Sequence, residues 1–456
     1  MTCYSRRRVP FLMLLTFLLW GALQPAAAFP AFARKYGLPC SACHEAWPKL
    51  NVFGQTFKDN GYQLMNDRDS VIWQNPAYWP VTFRITPNWH RESGNRVAVD
   101  SITGDASSGL TEAKTMEHGF DLTGLDILSG GTLYNNVSFL MVPSSDETGA
   151  FHFESVWARF DNLLKSPWLN FKFGKFELDN VVSEKRIMTI SANGGSYQLF
   201  HFIPLYELTN GSPVINSFAQ LGDNQLGIEV MGHSKNDRTR YSAALLSSND
   251  GNVDLGAGNA YSTFITASQA FDSGKWGVQR VGGYFYGGEA PTFFNHTTLG
   301  AGTPGTLTGK KSFNREGAFA LLYVKKLDFT VFYQHGSDSA YFGTGTPANG
   351  TLPTGARSPT WNGAFVETHY TANPQLIFIQ RSEFVRMSQQ PLPTLPSSFG
   401  NIDAYTFGAR YYPFMYSRAG FAFHGEYSLI RQQGASPVSL TSLTTSSTFA
   451  GFDFDF

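Results

Sequence analysis

Residues 420–429 read GFAFHGEYSL, and the side chains alternate in character along this stretch. One face of an extended chain would carry the large apolar side chains, Phe421, Phe423, Tyr427 and Leu429. The other face would carry small and polar side chains, Ala422, His424, Glu426 and Ser428. A period of two is that of a β-strand with one apolar and one polar face.

The same alternation recurs along the chain, for example in WLNFKFGKFE (168–177) and AYTFGARYY (404–412). The pattern predicts strands at 81–89, 118–128, 131–142, 151–161, 168–177, 224–233, 238–248, 260–271, 276–287, 314–325, 327–337, 359–370, 374–387, 403–413, 417–431 and 445–456. About sixteen antiparallel strands of about ten residues each are typical of an outer-membrane β-barrel. We therefore predict an all-β transmembrane barrel.

Composition agrees with a membrane barrel. Charged residues are 15% of the 456-residue chain and aromatic residues another 15%, whereas charged residues are about 25% of soluble proteins. The net charge of −1 gives no reason to expect nucleic-acid binding. A propeller would need a sequence repeat and an array of sandwiches would need linkers, and neither is visible.

Loop lengths favour the same fold. A short turn at Lys325 and Lys326 alternates with long Gly-, Ser-, Thr- and Pro-rich stretches such as 288–313 and 338–358. The chain ends in FAGFDFDF (449–456), which resembles the sorting signal of outer-membrane barrels. Residues 181–222 do not alternate, and they are either a lumen constriction that Glu184, Lys185 and Arg186 could line, or a surface loop.

The N-terminus has the layout of a cleaved signal peptide. Arg6, Arg7 and Arg8 precede an apolar run over 9–23, and an Ala-Ala-Ala sequence at 26–28 offers a cleavage site. No apolar run after residue 28 approaches the ~18–20 residues of a spanning helix. We expect a signal peptide at 1–28, a monohaem cytochrome segment at 29–75 and a barrel at 76–456, in the outer membrane.

Residues 40–44 read CSACH, the C-x-x-C-H attachment motif of c-type haem. Thioethers from Cys40 and Cys43 would hold the haem, and His44 would bind its iron axially. A structural zinc site would need more ligands, and a thioredoxin-like pair would need a βαβ context. A disulfide across two residues would be strained. One covalent haem c is therefore the expected cofactor.

A short helix is expected after this motif. Leu50, Phe53 and Phe57 share one face, Asn51 can cap the helix, and Gly61 can end it. That apolar face would either pack as in any amphipathic helix or cover a haem edge. The second axial ligand is open, with Met65 as the first candidate and His90 as the alternative, followed by Met116 and His118.

The stretch FARKYGLPCSACHEAWPKLNVFGQTFKDNGY (32–62) joined to a barrel of this length resembles the fused monohaem cytochrome–porins of bacterial outer membranes, whose best-known members oxidise iron. The resemblance implies that Cys40, Cys43 and His44 hold the haem and that the cytochrome segment lies in or at the mouth of the barrel. It also implies outer-sphere electron transfer from extracellular Fe(II) to a periplasmic carrier, a cytochrome c or a cupredoxin.

Two alternatives stay open. The same conduit could run outward to an extracellular acceptor, and the reduction potential would decide the direction. The other alternative is a passive diffusion porin whose plug holds no haem, since barrels of this size carry solutes.

Overall fold

In the computed structural model the chain is a closed barrel of sixteen antiparallel strands. The structure describes residues 32, 36–46, 49–64, 81–100, 110–145, 149–178, 199, 221–222, 224–247, 260–293, 307–339, 358–388, 400–415, 420–434, 439 and 441–455. The expected signal peptide lies outside these residues. The predicted barrel is confirmed.

The barrel strands, in chain order, are β1 Val81–Asp100, β2 Leu110–Tyr134, β3 Val137–Ser145, β4 Phe151–Phe160, β5 Asn170–Phe176, β6 Gln225–His233, β7 Thr239–Ser247, β8 Tyr261–Asp272, β9 Val278–Phe293, β10 Leu307–Val324, β11 Leu327–Asp338, β12 Thr360–Asn373, β13 Leu376–Met387, β14 Ile402–Met415, β15 Gly420–Gln432 and β16 Leu443–Asp455. Each strand pairs with its neighbours in sequence, and β16 pairs with β1 to close the barrel.

The two faces of β15 are the ones that its sequence predicts. Phe423 is 52% exposed on the outer face, whereas His424 and Glu426 are 5% and 4% exposed on the lumen face. A bilayer has no water for unpaired backbone groups, so a closed barrel with an apolar exterior is one of the few structures that span it. The protein is therefore an outer-membrane barrel.

The closing strand carries a charge cluster on its lumen face. Asp453 of β16 lies 3.6 Å from Arg84 of β1, 3.7 Å from Arg410 of β14 and 3.4 Å from His424 of β15. These three partners come from both sides of the β16–β1 junction. The alternating FDFD sequence thus places apolar rings on the lipid face and an ion-paired carboxylate inside.

Strand boundaries differ from the sequence prediction near the start of the barrel. A turn was expected near residues 129–130, but β2 continues to Tyr134 and turns at Asn136, whose φ is 57°. Gly130 and Gly131 therefore lie within the strand, although glycine pairs usually mark turns. A Cβ on Gly130 would lie 3.2 Å from the Phe32 ring, so this glycine instead admits the N-terminal segment.

Short and long connections lie at opposite ends. Two-residue turns follow β2, β10 and β12, and five-residue turns follow β6 and β8, whereas most connections at the other end have nine or more residues. Parts of the predicted loops 288–313 and 338–358 are strand, because β9 runs to Phe293 and β10 begins at Leu307. In bacterial barrels the short turns lie on the periplasmic side.

The N-terminal segment lies against the inner wall at the periplasmic end. It includes the helix α1 (Val52–Asp59), preceded by a ribbon of two short strands, His44–Ala46 and Lys49–Leu50. The predicted helix and its Asn51 cap are confirmed. Within the described part of the chain, none of the helices has the length and apolar character needed to cross a membrane.

Candidate functional site

The predicted haem motif forms a compact turn that is tied to the start of α1. Residues Cys40–Ala42 form one turn of 3₁₀ helix, and Cys43 and His44 follow directly. The backbone N–H of Asn51 donates to the Cys43 carbonyl at 2.9 Å, and the Asn51 side chain donates to the Ala42 carbonyl at 2.9 Å. These two bonds tie the turn to the start of the helix.

Asn51 and Gly54 explain why the motif can sit so close to the helix. The Asn51 side chain accepts a hydrogen bond from the Gly54 N–H at 2.9 Å and so caps the helix. A Cβ at Gly54 would lie 2.1 Å from the Cys43 carbonyl oxygen. Only glycine permits this approach of the Cys43 backbone to the first turn of α1.

Polar contacts fix α1 to the barrel wall. Arg159 of β4 donates to the Lys58 carbonyl at 2.6 Å, and the Lys58 ammonium lies 2.6 Å from Glu177. Arg240 of β7 lies 3.2 Å from Asp59. These contacts involve groups that are largely buried, where an ion pair is screened less than at the surface.

A cluster of aromatic rings packs the same helix. Phe57 lies 5.3 Å from Phe32 and 5.6 Å from Tyr36, ring centre to ring centre. Tyr62 stacks on Phe32 at 4.6 Å and on Trp157 of the wall at 6.0 Å. Of the apolar face predicted for the helix, Phe57 is thus packed, while Phe53 remains 44% exposed.

The turn after β6 supplies a further anchor and a perturbed carboxyl group. Asp237 accepts a hydrogen bond from Thr56 at 2.9 Å and pairs with Arg240. Burial alone would raise the pKa of Asp237, but the hydrogen bond and charge of Arg240, with Thr56 and Arg280, bring that pKa below its usual value. Asp237 is therefore ionised at neutral pH.

Cys43 has a different environment. Its thiol is free in this structure, and burial raises the pKa of the thiol from 9.0 to about 11. The neutral thiol is thus favoured at neutral pH when no group is attached to the sulfur. The structure describes the backbone of Cys40 but not its side chain.

A cavity of about 510 Å³ lies between α1 and the wall. From the N-terminal segment it is lined by Leu50, Asn51, Val52, Gln55, Thr56 and Asp59. From the wall it is lined by residues of β5 to β11 and of the turn after β6, among them Met231, His233, Arg238, Arg240, Arg280 and Phe319. Leu50 lies opposite His44 in the two-stranded ribbon, so the cavity begins next to the motif.

The other predicted ligands lie elsewhere. Met65 lies outside the described residues. His90 is on β1, where its ring stacks on Phe449 at 3.9 Å and its Nε2 lies 3.2 Å from the Ser447 hydroxyl. His90 does not line the cavity. Its role as an axial ligand, like that of Met65, stays a prediction.

The lumen also carries buried ion pairs on β11, β12 and β13. Arg381 of β13 lies 3.7 Å from Glu367 and 3.4 Å from Glu383, and His369 lies 2.6 Å from Glu367 and 2.8 Å from Asp328. The Arg381 and Glu383 residues are each 1% exposed. The polar face of the alternation marks these residues as lumen-facing, but sequence alone does not pair them.

One residue of the non-alternating segment 181–222 is described inside the lumen. Leu199 is 1% exposed, and its backbone N–H donates to the Glu383 side chain. A Cβ at Gly363 would lie 2.1 Å from the Leu199 side chain. This position agrees with a segment that enters the lumen, while Glu184, Lys185 and Arg186 lie outside the described residues.

The residues present fit a covalent haem c. Such a site needs two cysteines three positions apart, a following imidazole and apolar surface for the ring. Cys40 opens the 3₁₀ turn, and Cys43 and His44 follow that turn directly. Val52, beside that turn, is 61% exposed, which is apolar surface that a ring could cover. Among the described residues no group of three or more His, Cys, Asp or Glu side chains could hold a metal ion.

Comparisons with known proteins give fold likeness only. No family model and no curated protein matches the chain. The outer-membrane protein OmpT of Vibrio cholerae is 10% identical over 83% of this chain and 98% of its own, with a TM-score of 0.45. The outer-membrane channel DcaP of Acinetobacter baumannii is 11% identical over 84% of this chain and 99% of its own, with a TM-score of 0.47. An anion-selective porin from Comamonas acidovorans is 10% identical over 82% and 98%, with a TM-score of 0.46. At such low identity these likenesses carry no inference about the activity of this chain.

Proposed function

We propose that this outer-membrane barrel carries electrons across the membrane through one covalent haem c, as a member of the fused cytochrome–porin family. One observation carries the proposal. The C-x-x-C-H turn is tied to a helix that the inner wall of a closed barrel holds by ion pairs, hydrogen bonds and ring contacts.

Each residue of the motif has a role in this proposal. Cys40 and Cys43 would hold the haem through thioethers, and His44 would supply a nitrogen ligand to its iron. When bound, the haem supplies reversible one-electron chemistry. Asn51 and Gly54 keep the motif against α1, and Arg159, Arg240 and Glu177 keep α1 against the wall.

The position of the motif supports transfer across the membrane. A bilayer core is about 30 Å thick, which is too far for one efficient electron transfer. A redox group inside the barrel divides that distance. Trp361 and Phe365 of β12, each 1% exposed, add apolar packing inside the lumen.

The proposed donor is extracellular Fe(II), and the proposed acceptor is a periplasmic cytochrome c or cupredoxin. The short-turn end that holds the motif faces the periplasm, which suits delivery to a soluble carrier there. The same arrangement also permits outward flow to an extracellular acceptor, and the midpoint potential of the haem distinguishes the two directions.

The test is haem content and its response to iron. Protein matured in a host that attaches haem c should show a c-type absorption band that Fe²⁺ restores after oxidation. A variant with both Cys40→Ala and Cys43→Ala should fold as the same barrel without that band. Colourless wild-type protein from the same host would refute the proposal.

A passive diffusion porin is the second candidate. The observation in its favour is the charged lumen face, with Arg315, Glu367 and Arg381 all pointing inward. Single-channel recording in planar bilayers separates the two candidates. Large steady conductance from a colourless protein supports the porin, whereas a closed, haem-loaded barrel supports the electron conduit.

A further inference from the structure

His233 is the last residue of β6 and lies on the wall of the cavity beside α1. It is 8% exposed, and its side chain faces the lumen, as does that of Met231 two residues earlier. The N-terminal segment contributes Leu50, Asn51 and Val52 to the same cavity. A wall imidazole thus borders the same space as Leu50, the ribbon partner of His44.

The ring of His233 has one nitrogen engaged and one without a partner. Its Nδ1 lies 3.0 Å from the Ser234 carbonyl oxygen and 3.9 Å from an Asp237 carboxylate oxygen. Because a carbonyl oxygen can only accept, Nδ1 carries the hydrogen and Nε2 holds the lone pair. No hydrogen-bond partner for the buried Nε2 exists within the described part of the chain.

This arrangement is the one that metal-binding histidines adopt. Such residues donate the distal ring N–H to a backbone carbonyl or a carboxylate, which fixes the tautomer and makes the other nitrogen a better ligand. Buried polar atoms without a partner are uncommon, so each one calls for an explanation. A ligand to Nε2 from the cavity supplies that explanation.

The cavity itself suits the group that the motif would attach. At about 510 Å³ it falls within the ~300–1,000 Å³ of cofactor pockets. Leu50 and Val52 give it apolar surface on the helix side, and Phe319 and Leu321 do so on the wall side. Arg238 and Lys235 are exposed cations on the turn beside it, where they could pair with the propionates of a haem.

We propose that His233 Nε2 is the second axial ligand of the haem iron, opposite His44. This inference rests on the proposed function, since it requires the haem. It gives the barrel wall a direct bond to the cofactor of the N-terminal segment. His44 and His233 would then clamp that segment in the lumen, and the iron would be six-coordinate with two imidazoles.

Met231 lines the same cavity and is 6% exposed. A thioether is an ordinary packing group that needs no polar partner, whereas the Nε2 of His233 lacks one. The imidazole is therefore favoured over Met231, and over His90, whose Nε2 is already within 3.2 Å of Ser447.

The test uses full-length, haem-loaded protein in detergent, with absorption and electron paramagnetic resonance spectra. The wild type should be low-spin with the signature of two imidazoles. His233→Ala should become high-spin, should bind carbon monoxide when reduced, and should return to low-spin with added imidazole. His233→Met should stay low-spin and raise the midpoint potential, because a Met/His pair does so. Met231→Ala and His90→Ala are the matched controls and should keep the wild-type spectrum.

The contradicting results are distinct. A His233→Ala protein with the wild-type low-spin spectrum overturns the ligand assignment and leaves the proposed function standing. A wild-type spectrum with the signature of one imidazole and one thioether also overturns the ligand assignment and leaves the proposed function standing. This second result does not depend on the folding of any variant. Wild-type protein without haem overturns both.

Discussion

At the scale of the residue, Gly54 sets how closely the haem motif approaches its helix. Alanine there would bring Cβ to 2.1 Å from a backbone oxygen, which cannot rotate away. Gly119, on the barrel wall, has nothing within 4 Å of an added Cβ. The two glycines make a matched pair for testing the contact.

We expect Gly54→Ala to displace the Cys43–His44 turn, because overpacking of this kind costs about 1–3 kcal/mol. Haem content per folded barrel should fall several-fold, as measured by the reduced absorption band against protein concentration. Gly119→Ala should retain wild-type haem content. Equal haem content in both variants would contradict the described contact.

Cys43 gives a prediction for protein made without haem. Its raised pKa of about 11 lies above that of an unfolded thiol, near ~8.5. The burial of the neutral thiol therefore stabilises the fold below pH ~8.5, and this contribution is lost as the pH rises through the folded pKa.

Alkylation by iodoacetamide should accordingly be slow in the folded apo-protein at pH 8 and should increase toward pH 11. In urea-unfolded protein the rate should already level off near pH 9. Cys40→Ala protein isolates the Cys43 signal, which mass spectrometry reads out. Matching rate profiles for folded and unfolded protein would show that Cys43 is not buried.

At the same scale, the sequence predicts local chemistry but not distant contacts. Cys40, Cys43, His44 and the Asn51 cap lie within twelve residues, so spacing alone identifies them. His233 lies far away in sequence on a wall strand, and no spacing rule connects it to the motif. Its signal appears only when the cavity and the unpartnered Nε2 are seen together.

At the scale of the element, every one of the sixteen expected strands is present, because alternation follows from one face meeting lipid and the other the lumen. The errors fall at strand ends. β1 continues to Asp100 and β2 begins at Leu110, so both strands extend beyond the residues whose side chains alternate. Backbone pairing continues there because no bilayer imposes an apolar face.

Arg159 tests how α1 is held. Its guanidinium lies 2.6 Å from Asp161 and donates to the Lys58 carbonyl, and the Arg159 and Asp161 side chains are 1% and 0% exposed. Removing one member of a buried pair costs about 3–5 kcal/mol. Arg159→Ala should loosen the segment and produce conductance bursts in planar bilayers that the wild type lacks.

The control is Arg386→Ala. Its partner Asp403 and Arg386 itself are 31% and 47% exposed, and exposed pairs contribute only about 0–1 kcal/mol. Its conductance trace should match the wild type. If Arg159→Ala is equally silent, Arg159 does not hold the segment in place.

At the scale of the whole molecule, the side chains that fill the lumen determine whether the barrel is an electron conduit or a diffusion pore. Alternation places Arg381, Glu367 and Glu383 inside, but their mutual pairing and the entry of Leu199 depend on closure of the barrel. Closure in turn depends on β16 pairing with β1 across more than 300 residues of sequence. Such contacts leave no local pattern in the sequence.

The proposed function is electron transfer across a membrane through a covalent haem. Proteoliposomes that enclose an oxidised cytochrome c and receive Fe²⁺ outside test it directly. We expect the enclosed cytochrome to be reduced with wild-type protein and to stay oxidised with the double variant Cys40→Ala, Cys43→Ala. Equal reduction of the enclosed cytochrome with both proteins would contradict this function. So would the absence of electron transfer by haem-loaded wild-type protein in both directions across the membrane.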